Sequence, residues 1–163
     1  GMMHPWKTRE EYWGYLATFL HTTQTAPVRH SYLDLDALLK GKDFFILTTN
    51  QDTQFVKLYP EEKVAEIQGD HRFFQCAACC TDDTWDAVKP VADMVAAMGD
   101  GTKIPTDLIP KCPTAAVRHS PGCEDMGISS KERNTKNSTK KFLATYWNTR
   151  TAKFCSWSWA LAE

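Results

Sequence analysis

Apolar positions recur at helical spacing across residues 9–22, where Tyr12, Tyr15, Leu16 and Phe19 share one side. Thr8 stands in place to cap that helix, and Glu10 and Glu11 occupy its first turn. A second amphipathic helix is expected over 29–40, with Leu33, Ala37, Leu38 and Leu39, ended by Gly41. The run Phe44-Phe45-Ile46-Leu47-Thr48 lies between a Gly-Lys-Asp turn and a polar segment, the pattern of a buried strand in a parallel sheet. Residues 53–58 suit a short helix, and 64–67 a second short strand that stops at Gln68-Gly69-Asp70-His71. Phe73-Phe74-Gln75 then leads into a knot of cysteines. Trp85, Val88, Val91, Met94, Val95 and Met98 predict a third helix over 84–98, closed by Gly99-Asp100-Gly101, and residues 109–113 run extended. Helices feeding short apolar strands make this an α/β pattern, and no internal repeat is present.

Length and composition narrow the picture. The 163 residues make one domain, or one with a small appendage, and 42% hydrophobic against 24% charged residues is the balance of a folded chain. The formal net charge of −1 supplies no field for nucleic acid or an anionic membrane. No apolar run approaches the ~18 residues of a membrane helix. The start Gly1-Met2-Met3-His4-Pro5 lacks the pattern of a signal peptide, and Gly1 before a Met resembles a tag scar, so a cytoplasmic location is expected. Charge is uneven: residues 1–112 carry 11 basic and 16 acidic side chains, net −5, and residues 113–163 carry 8 and 4, net +4. Beyond 113 both helical and strand periodicity fade.

Six cysteines in a reducing compartment point to metal or redox chemistry rather than to a disulfide scaffold. Three fall in Cys76-Ala77-Ala78-Cys79-Cys80, and Cys112 opens a Cys-Pro turn further on. Zinc takes four tetrahedral ligands, which two close pairs from distant segments supply. Cys76 pairs with Cys79 or Cys80, and Cys112 adds a third thiolate. The fourth place falls to His119 or Cys123, because Ala115 stands at the usual spacing. Buried thiols without metal are the plain alternative. A redox pair of Cys76 and Cys79 is a further one, although no basic cluster lies near in sequence to depress a thiol pKa. Thr49-Asn50-Gln51-Asp52 follows the first strand, where open α/β sheets bind ligands, and Asn50 and Asp52 have the groups to hydrogen-bond a ribose or an amide. Asn and Asp are also common in ordinary turns. Asp70 beside His71 is a carboxylate next to a potential base, or a surface pair of no consequence; His4, His21 and His30 have no companions in sequence.

Taken together these segments resemble the sirtuin family. Residues 44–52 are similar to the sirtuin strand ending in T-x-N-x-D. Pro27-Val28-Arg29-His30 and the helix before Lys42 resemble P-N-x-x-H-x-x-L-x-x-L, and Glu66-Ile67-Gln68-Gly69 stands where sirtuins have E-L-H-G, with cysteines following. The resemblance covers roughly residues 6–113. It implies a Rossmann-like domain and a small zinc-binding domain, with NAD and an acylated protein held between them. Residues 1–72 and 84–110 would be the partial α/β region, 84–110 lying partly in the small domain, and 73–83 with 109–123 the zinc segment. Thr49, Asn50, Gln51 and Asp52 would line the nicotinamide-ribose pocket.

Gln68 takes the place of the family's catalytic histidine, and an amide does not accept a proton as imidazole does. That substitution resembles the macrodomain-linked branch, which transfers ADP-ribose to proteins, a lipoylated carrier protein among them. Asn50 and Gln68 would then orient ribose and nucleophile. The G-A-G-x-S phosphate loop at a helix start and the C-terminal G-x-S and L-x-L-G strands have no counterpart in the sequence. A truncated NAD-dependent protein, inactive by itself, is therefore expected. The alternative is a non-catalytic zinc-binding interaction module. Residues 114–163 form an atypical tail. A one-base shift from Thr114 permits codons that continue Cys112-Pro113 as C-P-H-C-G-G, which makes the tail a candidate frameshift product. An incomplete sheet would leave an open edge suited to a homodimer.

Overall fold

The computed structural model describes residues 4–78, 80, 81, 83–114 and 126–128. They form four helices and two small sheets, a mixed α/β arrangement.

Helix α1 spans Arg9–Thr25. The Thr8 hydroxyl accepts from the Glu11 backbone N–H at 3.2 Å, and the Glu11 carboxylate accepts from the Lys7 N–H at 3.3 Å, so two donors at the helix start are satisfied. The helix outlasts its predicted end by a turn. Thr18, Thr22 and Thr25 donate to the carbonyls of Gly14, Thr18 and His21, four residues back, and Lys57 donates to the Thr23 and Ala26 carbonyls at the far end. Trp13, Leu16, Ala17 and Leu20 lie on one buried stripe.

That stripe packs on α4 (Val88–Met98), through Val91 and Met94, and on an antiparallel sheet. The sheet has β3 (Phe73–Cys76) at its centre, flanked by β4 (Thr84–Asp86) and β5 (Met126–Ile128). Phe74 fills the middle of the core, edge-on to Trp13 with ring centroids 5.7 Å apart. Cys76, Cys112 and Met126 complete its border.

Two expectations are corrected here. Residues 84–86 are strand, not the first turn of a helix: Phe74 pairs with Trp85 and Gln75 with Thr84. Pro90 has no N–H to return to the Asp86 carbonyl, so a helix begun at 84 would lose a bond at once. The tail is not wholly irregular either. Residues 126–128 pair with β3, Cys76 opposite Met126, and Met126 enters the core. The rest of residues 115–163, with Cys123, His119 and Cys155, lies outside the described residues, as do Cys79 and Asp82.

The second sheet holds β1 (Ile46–Thr48) and β2 (Val64–Glu66), joined through α3 (Gln54–Leu58) and a 3₁₀ turn at Glu61–Lys63. The strands are parallel, Thr48 opposite Glu66, as the apolar runs predict. Burial is one-sided at β1: Ile46 and Thr48 are covered, while Leu47 is 51% exposed. Helix α2 (His30–Leu39) ends at Gly41, whose φ of +75° suits glycine. None of its residues is buried. Its ties are largely polar: Tyr59 donates to Asp36 at 2.9 Å, and the Arg29 N–H donates to the Gln54 side chain at 2.8 Å.

Candidate functional site

The parallel pairing brings two turns to the carboxyl ends of β1 and β2. From β1 come residues 49–53, and from β2 the turn Ile67–Gln68–Gly69. The Ile67 N–H donates to the Thr48 carbonyl at 2.9 Å and extends the ladder into the turns. Gln51 donates from Nε2 to the Gln68 carbonyl, so the two turns are joined directly. Asn50 and Gln68 are exposed; Gln51 and Asp52 are half-buried. Sequence reasoning singled out these four residues and Thr49, and the fold brings their turns together.

Side chains fix the first turn at nearly every step. The Thr48 hydroxyl accepts from the Asn50 N–H at 3.0 Å. One oxygen of Asp52 accepts from the Gln54 N–H at 3.2 Å, which steadies the start of α3. Thr53 lies between them with φ +60°, in the left-handed region that a β-branched residue rarely enters. It is 1% exposed, and its hydroxyl donates to the Thr23 carbonyl at the end of α1, 2.8 Å away. Strain of this kind persists only where the surroundings over-determine it, and it gathers at functional turns. Lys57 reinforces the anchorage by donating to the Thr23 and Ala26 carbonyls at 3.2 and 2.7 Å.

Tyr32, on α2, completes the turn and was not singled out by the sequence. Its hydroxyl donates to the second Asp52 oxygen at 2.5 Å and accepts from Asn50 Nδ2 at 2.9 Å. Its ring stands edge-on to Phe55. Burial, and then the bond to Asp52, push its phenol above the ordinary value.

Beneath the turns lies a buried ionic group that sequence reasoning also missed. Glu66 ends β2 at 7% exposure, and burial together with the neighbouring Asp70 charge pushes its carboxyl up to about 8. Arg72 holds Asp70 with its guanidinium at 2.6 to 3.1 Å and with its own N–H at 2.8 Å. The pairing of Asp70 with His71 as carboxylate and base is corrected, because Asp70 is committed to Arg72. Nor is His71 a surface residue: it is 5% exposed, edge-on to Phe19, and burial holds its imidazole below the ordinary value and neutral at pH 7. An acid at the end of an all-buried strand is the one signal in the sequence that could have marked Glu66.

The cysteines form a separate centre. Cys76 ends β3, Cys80 sits in the following loop, and Cys112 returns after the 3₁₀ turn Thr106–Leu108. Their sulfurs all lie within 4.8 Å of one another, with Cys80 and Cys112 at 3.5 Å. Two thiolates on one zinc ion stand ~3.7 Å apart, given Zn–S bonds of about 2.3 Å and tetrahedral angles. The three thiols therefore fit three corners of such a site. Cys79, Cys123 and His119, the other candidates, lie outside the described residues.

No protein-family model matches the chain. A protein of Staphylococcus aureus named "Protein ADP-ribosyltransferase" is 35% identical over 113 residues, 68% of this chain and 36% of that protein. The chain is related to proteins named for ADP-ribosyl transfer. A second, from Fusarium oxysporum f. sp. cubense, is named "Probable bifunctional ADP-ribose hydrolase/ADP-ribosyltransferase" and is 33% identical over 94 residues, 56% of this chain and 15% of that protein. The chain thus spans about a third, or less, of the length of these curated relatives. Among the described residues no helix is long and apolar enough to cross a membrane.

Proposed function

We propose that the chain carries the nicotinamide-ribose side of an NAD site of the sirtuin type, in a protein that transfers ADP-ribose to a protein acceptor. One observation carries this reading: the parallel β1–β2 pair delivers Asn50, Asp52 and Gln68 to one place, with Gln51 tying the two turns. Ligands bind outside the carboxyl ends of parallel strands, and the relatives' names supply the reaction class. Thr49, Gln51 and Asp52 line the site, while Asn50 and Gln68 orient the ribose and the incoming nucleophile. Neither amide takes a proton, so any base comes from the acceptor or from groups beyond this turn. The β1–β2 unit belongs to a Rossmann-like core, and 73–83 with 109–123 to a zinc segment. A lipoylated carrier protein is the acceptor to try first, and the chain works in the cytoplasm.

Saturation-transfer NMR with NAD tests this. Signal should reach the nicotinamide-ribose protons of NAD and vanish with Asn50→Ala; an equal signal from the variant, or none from the native chain, overturns the reading. Biotinylated NAD offered with a lipoylated carrier should label nothing when this chain acts alone. Labelling would show the chain to be a complete catalyst.

The convergence of Cys76, Cys80 and Cys112 favours a second reading, a zinc-binding interaction module without catalysis. That reading requires one bound zinc per chain and no NAD signal.

A further inference from the structure

We propose that Tyr32 is a positioning residue that fixes which end of the Asn50 side chain meets the ligand. The inference rests on the nicotinamide-ribose site proposed above and assigns a role to a helix outside the two turns.

Proton counting carries it. A phenol has one proton to donate, and a carboxylate can only accept. The Tyr32 hydroxyl lies 2.5 Å from Asp52, so its proton is spent there. Toward Asn50, 2.9 Å away, the phenol oxygen can then only accept. The NH₂ end of Asn50 must turn inward to Tyr32, which leaves Oδ1 turned away from the phenol. Oxygen and nitrogen of an amide look alike by shape, but this chain of donors admits one orientation. A bare Asn in a turn offers either end; here the site offers an acceptor and so selects a ligand group that donates, such as a hydroxyl.

The remaining contacts keep the latch in register. The other Asp52 oxygen is held by the Gln54 N–H, so the carboxylate cannot rotate toward Asn50. Gln54 in turn holds the Arg29 N–H directly before α2, which joins the base of Tyr32's helix to α3. The Tyr32 ring packs edge-on against Phe55, with centroids 4.8 Å apart. Helix α2 buries no side chain of its own, so this polar chain is a main reason for its placement.

Tyr32→Phe removes the hydroxyl and keeps the ring contact. The variant should melt within a few degrees of the native chain. Its Asn50 side-chain NH₂ resonances should shift away from their hydrogen-bonded positions in a ¹⁵N–¹H spectrum, because the amide is freed. Affinity for ADP-ribose, followed by NMR titration, should fall ~10-fold, the size of one lost hydrogen bond to an oriented group. Unmoved Asn50 resonances, or unchanged ADP-ribose affinity beside a native chain that binds, would overturn the latch and leave the site reading intact. If the native chain binds neither ADP-ribose nor NAD, the site reading falls, and the Asn50 resonances alone decide whether Tyr32 sets the amide.

Discussion

Glu66 shows how one buried carboxyl couples the candidate site to pH. Its folded-state pKa is about 8, against 4.5 for the free side chain. Between those values the folded chain keeps a proton that the unfolded chain gives up, so this group's contribution to stability is lost as pH rises through the window. Glu66→Gln keeps the shape and removes the titration. The melting temperature of the variant minus that of the native chain should therefore grow from about pH 5 to about pH 8. A constant difference would mean that the carboxyl is not desolvated. The sequence makes Asn50 and Asp52 visible because they follow an apolar run, and Gln68 only through the motif that Glu66-Ile67-Gln68-Gly69 resembles. It hides Tyr32 because the bonds that matter span 18 and 20 residues, from a helix whose pattern announces nothing but a helix. Thr53 is hidden for a related reason, since a left-handed Thr goes against the local preference and exists because the Thr23 carbonyl holds its hydroxyl while Asp52 holds the N–H of the next residue, Gln54.

Helix α1 is legible almost to its last turn, because cap and acidic first turn agree, but its inner face is not. Trp13, Leu16, Ala17 and Leu20 are buried, whereas of the expected side Tyr12, Tyr15, Leu16 and Phe19 only Leu16 is, and Phe19 is 37% exposed. What the pattern does not show is how near the chain returns to it. A Cβ on Gly14 would sit 2.3 Å from the Thr102 carbonyl oxygen, in the segment that follows α4. Helix propensity alone says that Gly14→Ala stabilises by up to about 1 kcal/mol. The close approach reverses the sign, and the variant should lose about 2 kcal/mol in urea denaturation; a gain would mean that the segment gives way freely. The 84–98 stretch misleads because Trp85, Val88 and Val91 satisfy a helical period while Trp85 spends itself on β3. The parallel pairing of β1 with β2 follows from their apolar runs, but the exposure of Leu47 does not, since a run of five apolar letters looks the same with one face covered or two.

Across the whole chain, Cys76 and Cys112 belong both to the thiol cluster and to the hydrophobic core beside Phe74 and Met126. If zinc fills that cluster, its binding free energy is folding free energy. Purified protein should then hold one zinc by elemental analysis, and a strong chelator should lower the melting temperature. Cys112→Ser should reproduce that loss without chelator; metal-free protein of unchanged stability would exclude a structural ion. The spacing of the cysteines makes this centre legible, whereas its merger with the core is a matter of packing that spacing does not encode. The contribution of residues 126–128 carries a practical warning. Their odd surroundings invite an experimenter to shorten the chain at 113 for expression. The shortened product would leave β3 with a bare edge and the core without Met126, like a bottle without its cork. It should cluster into soluble aggregates that light scattering detects, and be a worse reagent for any binding assay than the untidy original.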